Sequence, residues 1–347
     1  MRASSSSSGA RLLRRGFLAG LAGIASACSG APPKPLPPRE EPHAPLHIAA
    51  LTDLLPLADL RFLILARPRE IAAVPWLIPS ISLVVSEANL DRFAASSSLD
   101  LRQIPEAAIA SYAAPGGGEP TTLYLLRHNG DPLAIERAFR KRITLGERRA
   151  TDRRDLVRVS GKIGGSTSTL AVLGRDVVAL QPDGSAARGP VRVAALYAEG
   201  KLKKSPTVLT PGPVRELMAR FGSAPIRAVA LGPFEGELAR GARGLLAGAT
   251  AIGASARPSA REGIAIAIAV AGDFATSGEP ASRELAMAFQ DLAESSFGHL
   301  LGLDRPTERP LSMHAPDAVS LAVEIDPARL ARGLAAETKE RIEEIMR

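Results

Sequence analysis

Cysteine is nearly missing from this 347-residue chain, which has one, Cys28. A single thiol cannot close an internal disulfide, and no cysteine cluster exists to hold zinc. Aromatic residues make up only 4% of the chain, with one Trp and three Tyr. A core must therefore come from Ala, Leu, Ile and Val, which the 46% hydrophobic content supplies. The same shortage removes the stacking platform that single-stranded nucleic acid needs, so nucleic acid is not an expected partner. No run approaches 18 uncharged apolar residues, so no membrane-spanning helix is predicted.

Catalytic signatures are missing too. Neither a dinucleotide fingerprint nor a phosphate loop occurs. GKIGGST at 161–167 has its lysine ahead of the glycines and lies between strand-like runs, so it reads as a hairpin turn. No nucleophile elbow and no S-x-x-K spacing is present. The five histidines are His43, His47, His128, His299 and His314. None forms a metal-binding pair on one helix, because Pro45 interrupts the spacing between His43 and His47. No cofactor and no metal is predicted.

The net charge of +7 points at first to a polyanion partner. Four of the arginines, Arg2, Arg11, Arg14 and Arg15, precede Cys28, and no acid does. Without them 39 Lys and Arg face 36 acids, a net of +3. One dense stretch remains at 136–155. There Arg137, Arg140, Lys141, Arg142, Arg148, Arg149, Arg153 and Arg154 face Glu136, Glu147, Asp152 and Asp155. Guanidinium groups suit phosphate, so 137–154 is a candidate anion-binding patch. The plainer expectation is the solvated face of a helix and its loop, with the acids pairing locally.

The N-terminus carries the strongest motif. Residues 1–15 are Ser-rich and basic, and 16–27, GFLAGLAGIASA, form an uncharged apolar run of 12. That is too short to span a bilayer and fits the apolar core of a secretory signal. Ala25-Ser26-Ala27-Cys28 resembles the lipobox of bacterial lipoproteins, with Ala where the usual pattern has Leu. Arg14-Arg15-Gly16-Phe17-Leu18 resembles a twin-arginine export motif. The lipoprotein resemblance implies cleavage before Cys28, lipid on its sulfur and a membrane as partner, with Ser29 favouring the outer membrane. Residues 29–45 follow with seven prolines in 17. They predict an extended polyproline tether about 50 Å long at roughly 3.1 Å per residue.

Beyond the tether the pattern is α+β. Strand-like runs at 60–66, 121–128 and 226–232, a helix running into a strand at 100–113, and a helix at 131–143 capped by Asp131 all stand out. In that helix Leu133, Ile135, Ala138 and Phe139 share a face. Residues 156–184 predict a β-meander and 236–246 a helix. The runs 247–256 and 263–272 form a hairpin, 280–301 a helix, 320–326 a strand, and the chain closes in a helix capped by Asp326. Both halves run strand, helix, strand, strand, helix, and LILARPREI at 63–71 answers VALGPFEGE at 229–237. This order resembles two ferredoxin-like units joined by the meander. The expected segments are a signal at 1–27, a tether at 28–46, and α+β halves at 47–200 and 201–347. The expected function is a lipid-anchored envelope protein with a non-catalytic binding or scaffolding domain, facing the periplasm or cell surface, with a ligand or envelope partner in a groove between the halves. Two alternatives stand beside it: an exported hydrolase or transferase with a site assembled from distant residues, and polyanion binding through 137–154.

Overall fold

A computed structural model describes residues 44–346 apart from 115–117, 152, 184–188 and 203–204, with the side chains of 150 and 338–346 also left out. The signal and lipidation residues Arg14, Arg15, Phe17, Leu18, Ala25, Ser26, Ala27 and Cys28 lie outside the described residues, as does the tether through His43. Residues 45–347 form one compact unit.

After a 3-10 turn at Leu51–Leu54 comes β1 (Leu60–Ala66), then α1 (Pro68–Ala72), α2 (Ile78–Val84) and α3 (Glu87–Ser97). Next are β2 (Glu106–Tyr112), β3 (Thr121–Arg127) and α4 (Pro132–Arg142). A run of four strands follows: β4 (Thr144–Ala150), β5 (Leu156–Ile163), β6 (Ser166–Leu173) and β7 (Val177–Gln181). Two helices, α5 (Pro190–Ala198) and α6 (Pro213–Arg220), lead to β8 (Ile226–Leu231), α7 (Glu237–Arg240), β9 (Ala249–Pro258) and β10 (Ile264–Gly272). The chain ends with α8 (Gly278–Glu294), α9 (Ser296–Leu301), β11 (Leu311–Ala315), β12 (Ala318–Ile325) and α10 (Pro327–Met346).

The twelve strands among the described residues join one sheet, in the order β11-β12-β10-β9-β8-β1-β2-β3-β7-β6-β5-β4, and each of these pairings is antiparallel. The α+β class is therefore seen as a mixed fold on one large antiparallel sheet. Two ferredoxin-like units are not confirmed: β1, β2 and β3 lie side by side, as do β8, β9 and β10, with β7 added next to β3 and β12 next to β10. The two halves meet where β1 pairs with β8, with Leu63 opposite Val229.

Alternation along the strands sorts side chains to two faces. One face packs Leu63, Leu125, Leu173, Val229, Ala269 and Ala271 under residues 48–55, α5 and α6. The other face divides. Leu170, Val172 and Val178 pack with Ile135 of α4 and Phe93 of α3, while Val270, Val319, Leu321 and Val323 pack with Leu285 and Phe289 of α8. The Ile/Ala alternation of β10 thus puts its branched residues toward α8 and its alanines toward α6. There Gly253 of β9 is needed, since a Cβ would stand 2.7 Å from the Phe221 ring and 2.9 Å from the Ala228 carbonyl oxygen.

Local signals explain many boundaries. Asp131 accepts from the Leu133 amide at 3.0 Å and Pro132 occupies the first turn of α4. Asp326 caps α10 through the Arg329 amide at 2.7 Å. Gly164 and Gly165, both at positive φ, close the β5–β6 hairpin, as read for GKIGGST. Four expectations need correction. Residues 144–150 are the edge strand β4 rather than helix and loop, because α4 stops at Arg142 and β5 offers a free edge. Leu133 points outward at 62% exposure, while Ile135 and Ala138 take the buried face. Residues 236–246 break at Arg243 and Gly244, both left-handed. The 280–301 helix divides at Ser295, whose hydroxyl oxygen accepts from the Gly298 amide at 3.0 Å and starts α9.

Candidate functional site

An apolar concavity lies on the sheet face that carries α8. Its floor is Ile226 of β8, Ala256 of β9 and Ile264 of β10. Ile226 sits directly across from Ala256, and Ile264 across from Pro258. One wall comes from the first half: Ile71 of α1, Leu77, and Ser80, Ile81 and Val84 of α2. The other comes from the second half, where Pro327, Leu330, Ala331 and Leu334 lie along α10. The recess encloses about 210 Å³, and thirteen of its fifteen lining residues are apolar. Arg257 alternates away from Ala256 and faces the other side of the sheet.

Residue size creates this space. Ala256, Ser80 and Ala331 are small where α2 and α10 approach the sheet, and Pro79 and Pro327 fix the start of each helix. A lining this apolar gives water few hydrogen-bond partners, and an apolar group seated there would displace that water. The lining carries no carboxylate and no histidine, with Ser80 its one hydroxyl, so the arrangement favours binding and desolvation of an apolar group.

A second, more polar concavity of about 280 Å³ opens on the opposite face. Ser255, Ala265, Ala267 and Ala322 form its floor, and Arg220, Arg257, Arg309, Glu308 and Glu324 its rim. Arg220 pairs with Asp317, and Glu324 accepts from the Ser259 hydroxyl at 2.9 Å.

The cationic segment 137–154 does not converge on one point. Glu136 is buried on α4 and accepts from Arg148 of β4 at 2.7 Å, with Arg140 at 3.9 Å. Arg149 pairs with Glu147 at 2.8 Å, Arg137 with Asp131 at 3.5 Å and Arg153 with Asp155 at 3.1 Å. Hydrogen bonds from Arg149 hold the Glu147 carboxyl below its ordinary range. Lys141, Arg142 and Arg154 are exposed and make no ion pair among the described residues. Five of the eight cations are thus paired locally along a charged sheet edge and helix face, and charges of this kind deter edge-to-edge pairing with another chain.

Of the described histidines, His128 is the buried one, at 2% exposure, with neither ring nitrogen hydrogen-bonded among the described residues. His299 lies 3.1 Å from Asp304 at the surface. Among the described residues no group of His, Cys, Asp and Glu could hold a metal ion, and no helix is long and apolar enough to cross a membrane. The walls formed by 71–84 carry no motif. The signal that could have located them is the proline placement: Pro68, Pro75 and Pro79 each open a short helical turn. No family model, curated protein or solved structure matches the chain.

Proposed function

We propose that this chain is an exported lipoprotein whose folded unit is a non-catalytic binding module for an apolar group, held at the envelope by lipid on Cys28. In this reading residues 1–27 are removed and residues 28–46 hold the module away from the outer membrane, facing the periplasm or cell surface. The observation that carries the binding part is the carbon-lined recess, walled by α2 from one half and α10 from the other. A ligand there gains roughly 25 cal/mol for each Å² of apolar surface it loses to water. The recess suits the end of an acyl chain or a small ring better than a large ligand, since drug-sized pockets begin near 300 Å³.

The repeat order supports a related origin for the halves. β1, β2, β3 and β7 lie side by side, with helices after β1, β3 and β7. β8, β9, β10 and β12 lie side by side with helices in the same places. The first strands of the two sets pair antiparallel, and Leu63 and Val229, which correspond in LILARPREI and VALGPFEGE, stand opposite each other. We read this as two α+β units of common descent, with the recess formed where they meet.

Two measurements test the proposal. In detergent phase partitioning, the full-length protein is expected in the detergent phase with an acylated Cys28 peptide, and Cys28→Ser in the aqueous phase. Both forms in the aqueous phase, with Met1 retained, would overturn the anchor. A fluorescent fatty-acid analogue is expected to bind the wild type saturably and to lose that binding in Ala331→Phe, which fills the recess. Equal binding to both, or none to the wild type, would overturn the binding site.

A further inference from the structure

A third recess lies on the sheet face opposite the apolar one, near the β4 edge. It encloses about 260 Å³ between Arg158 of β5 and Arg192, Ala195 and Leu196 of α5, with Glu199 and Lys201 just beyond that helix. The charge around it is uneven. Arg149 of β4 is the direct cross-strand partner of Arg158, and like charges so placed repel. Among the described residues, Glu147 and Glu199 are the carboxylates beside these cations, and both are engaged. Glu147 accepts from Arg149 at 2.8 and 3.1 Å, and Glu199, whose side chain is only 8% exposed, pairs with Lys201 at 2.8 Å. Arg158 has no ion pair of its own among the described residues, and its buried Nε has no hydrogen-bond partner. Burial first, then the charges of Arg149 and Arg192, push its guanidinium below its ordinary range, while Glu199 and Glu147 act the other way.

Guanidinium does not deprotonate in proteins, so Arg158 cannot escape this cost by losing its charge. A half-buried cation without a partner is expensive unless an anion completes it. The strand holding it is rigid, because Leu156 and Val159 on either side are 0% and 1% exposed. A preformed fork thus lines a recess whose two flanking carboxylates are already engaged. The unpaired Arg158 suits a phosphate monoester, which carries about 1.5 to 2 negative charges at neutral pH, because guanidinium binds phosphate oxygens in pairs.

We infer that the recess at Arg158 is an anion-binding site for a phosphate group, carried either by a soluble phosphomonoester or by a phospholipid headgroup. It is separate from the cationic stretch 137–154, from which it takes only Arg149, and independent of the apolar recess.

The test uses the full chain carrying Cys28→Ser, so that no acyl anchor contributes to membrane binding. Calorimetric titration with inorganic phosphate is expected to show saturable binding that weakens at least about tenfold in Arg158→Met, the factor that follows from losing one charge-assisted hydrogen bond. Arg158→Lys, which keeps the charge but not the fork, is expected to fall between them and decides the matter if the Met variant fails to fold. Arg154→Met, outside the recess, is expected to bind like the parent. Vesicles of phosphatidic acid in phosphatidylcholine separate the sources: binding competed by phosphate points to a headgroup, and no vesicle binding points to a soluble ester. Absence of saturable phosphate binding, Arg158 variants within twofold of the parent, or vesicle binding that phosphate does not compete would overturn the inference.

Discussion

Leu63 is completely buried in the β1–β8 pair that joins the two halves into one sheet. It packs in the same cluster as Val229 of the second half and as Val214, Leu217 and Phe221 on and just after α6. Truncation to Ala removes its branched end from water-free surroundings and leaves a gap that antiparallel neighbours on both sides cannot close. Core Leu→Ala changes cost roughly 2–5 kcal/mol, and a site flanked on both sides by ladder hydrogen bonds collapses poorly, so about 3–4 kcal/mol is expected. Because the sheet is continuous across β1–β8, the loss must be felt by both halves together. Guanidinium unfolding checks this with two probes: fluorescence of Trp76, the sole tryptophan, which lies in the first half, and far-UV ellipticity of the whole chain. Both are expected to give one coincident transition in the wild type, displaced to lower denaturant in Leu63→Ala. A cost below about 1 kcal/mol, or two separate transitions in the wild type, would refute the argument that β1–β8 couples the halves.

Two further predictions follow from buried polar atoms. The Tyr112 hydroxyl is buried with no hydrogen-bond partner among the described residues, and burial pushes its phenol up. Tyr112→Phe keeps the ring and removes the unsatisfied group, so it should stabilise by about 1–2 kcal/mol in thermal unfolding; a loss of that size would mean that the hydroxyl is satisfied. His128 is the second. Burial holds its imidazole below the ordinary 6.5, against the nearby Asp176 carboxylate. With the folded value depressed, the unfolded chain binds the proton more readily. The contribution of His128 to stability is therefore full above about pH 6.5 and is lost as pH falls through the folded value. His128→Leu should flatten the fall in stability between pH 7 and pH 5, and an unchanged slope would contradict the assignment.

Much of the framework is legible in the sequence wherever one local rule governs one element. Asp131 with Pro132, and Asp326 with Pro327, mark helix starts that the structure repeats. The Ile/Ala alternation at 263–272 marks β10, and the paired glycines at 164–165 mark a hairpin. Reading fails where tertiary context decides. ERRA at 147–150 is charged and helix-compatible, yet it becomes strand because β5 presents an unpaired edge and Glu136 of α4 reaches Arg148. The region 67–99 carries three helices, the first two of only five and seven residues and each opened by a proline, too short to show a helical period, and it supplies one wall of the apolar recess. Arg158 looks like any strand arginine until β4 brings Arg149 across from it and α5 brings Arg192 over it. Both recesses are products of long-range pairing, which composition and spacing do not encode.

The apolar recess also follows from what the chain lacks. With few aromatic residues, space between elements is filled by aliphatic side chains and alanine, and small residues on facing surfaces leave gaps. If the recess were only such a gap, its 210 Å³, at roughly 24 cal/mol for each Å³ of enclosed void, would forfeit up to about 5 kcal/mol. It opens to solvent, which lowers that figure but leaves apolar walls wet. Ala331→Phe separates the two meanings. Filling a mere packing gap should raise the melting temperature and change no binding, whereas filling a site should remove uptake of the fatty-acid analogue whatever it does to stability. The small residues at 80, 256 and 331 matter for function only in the second case.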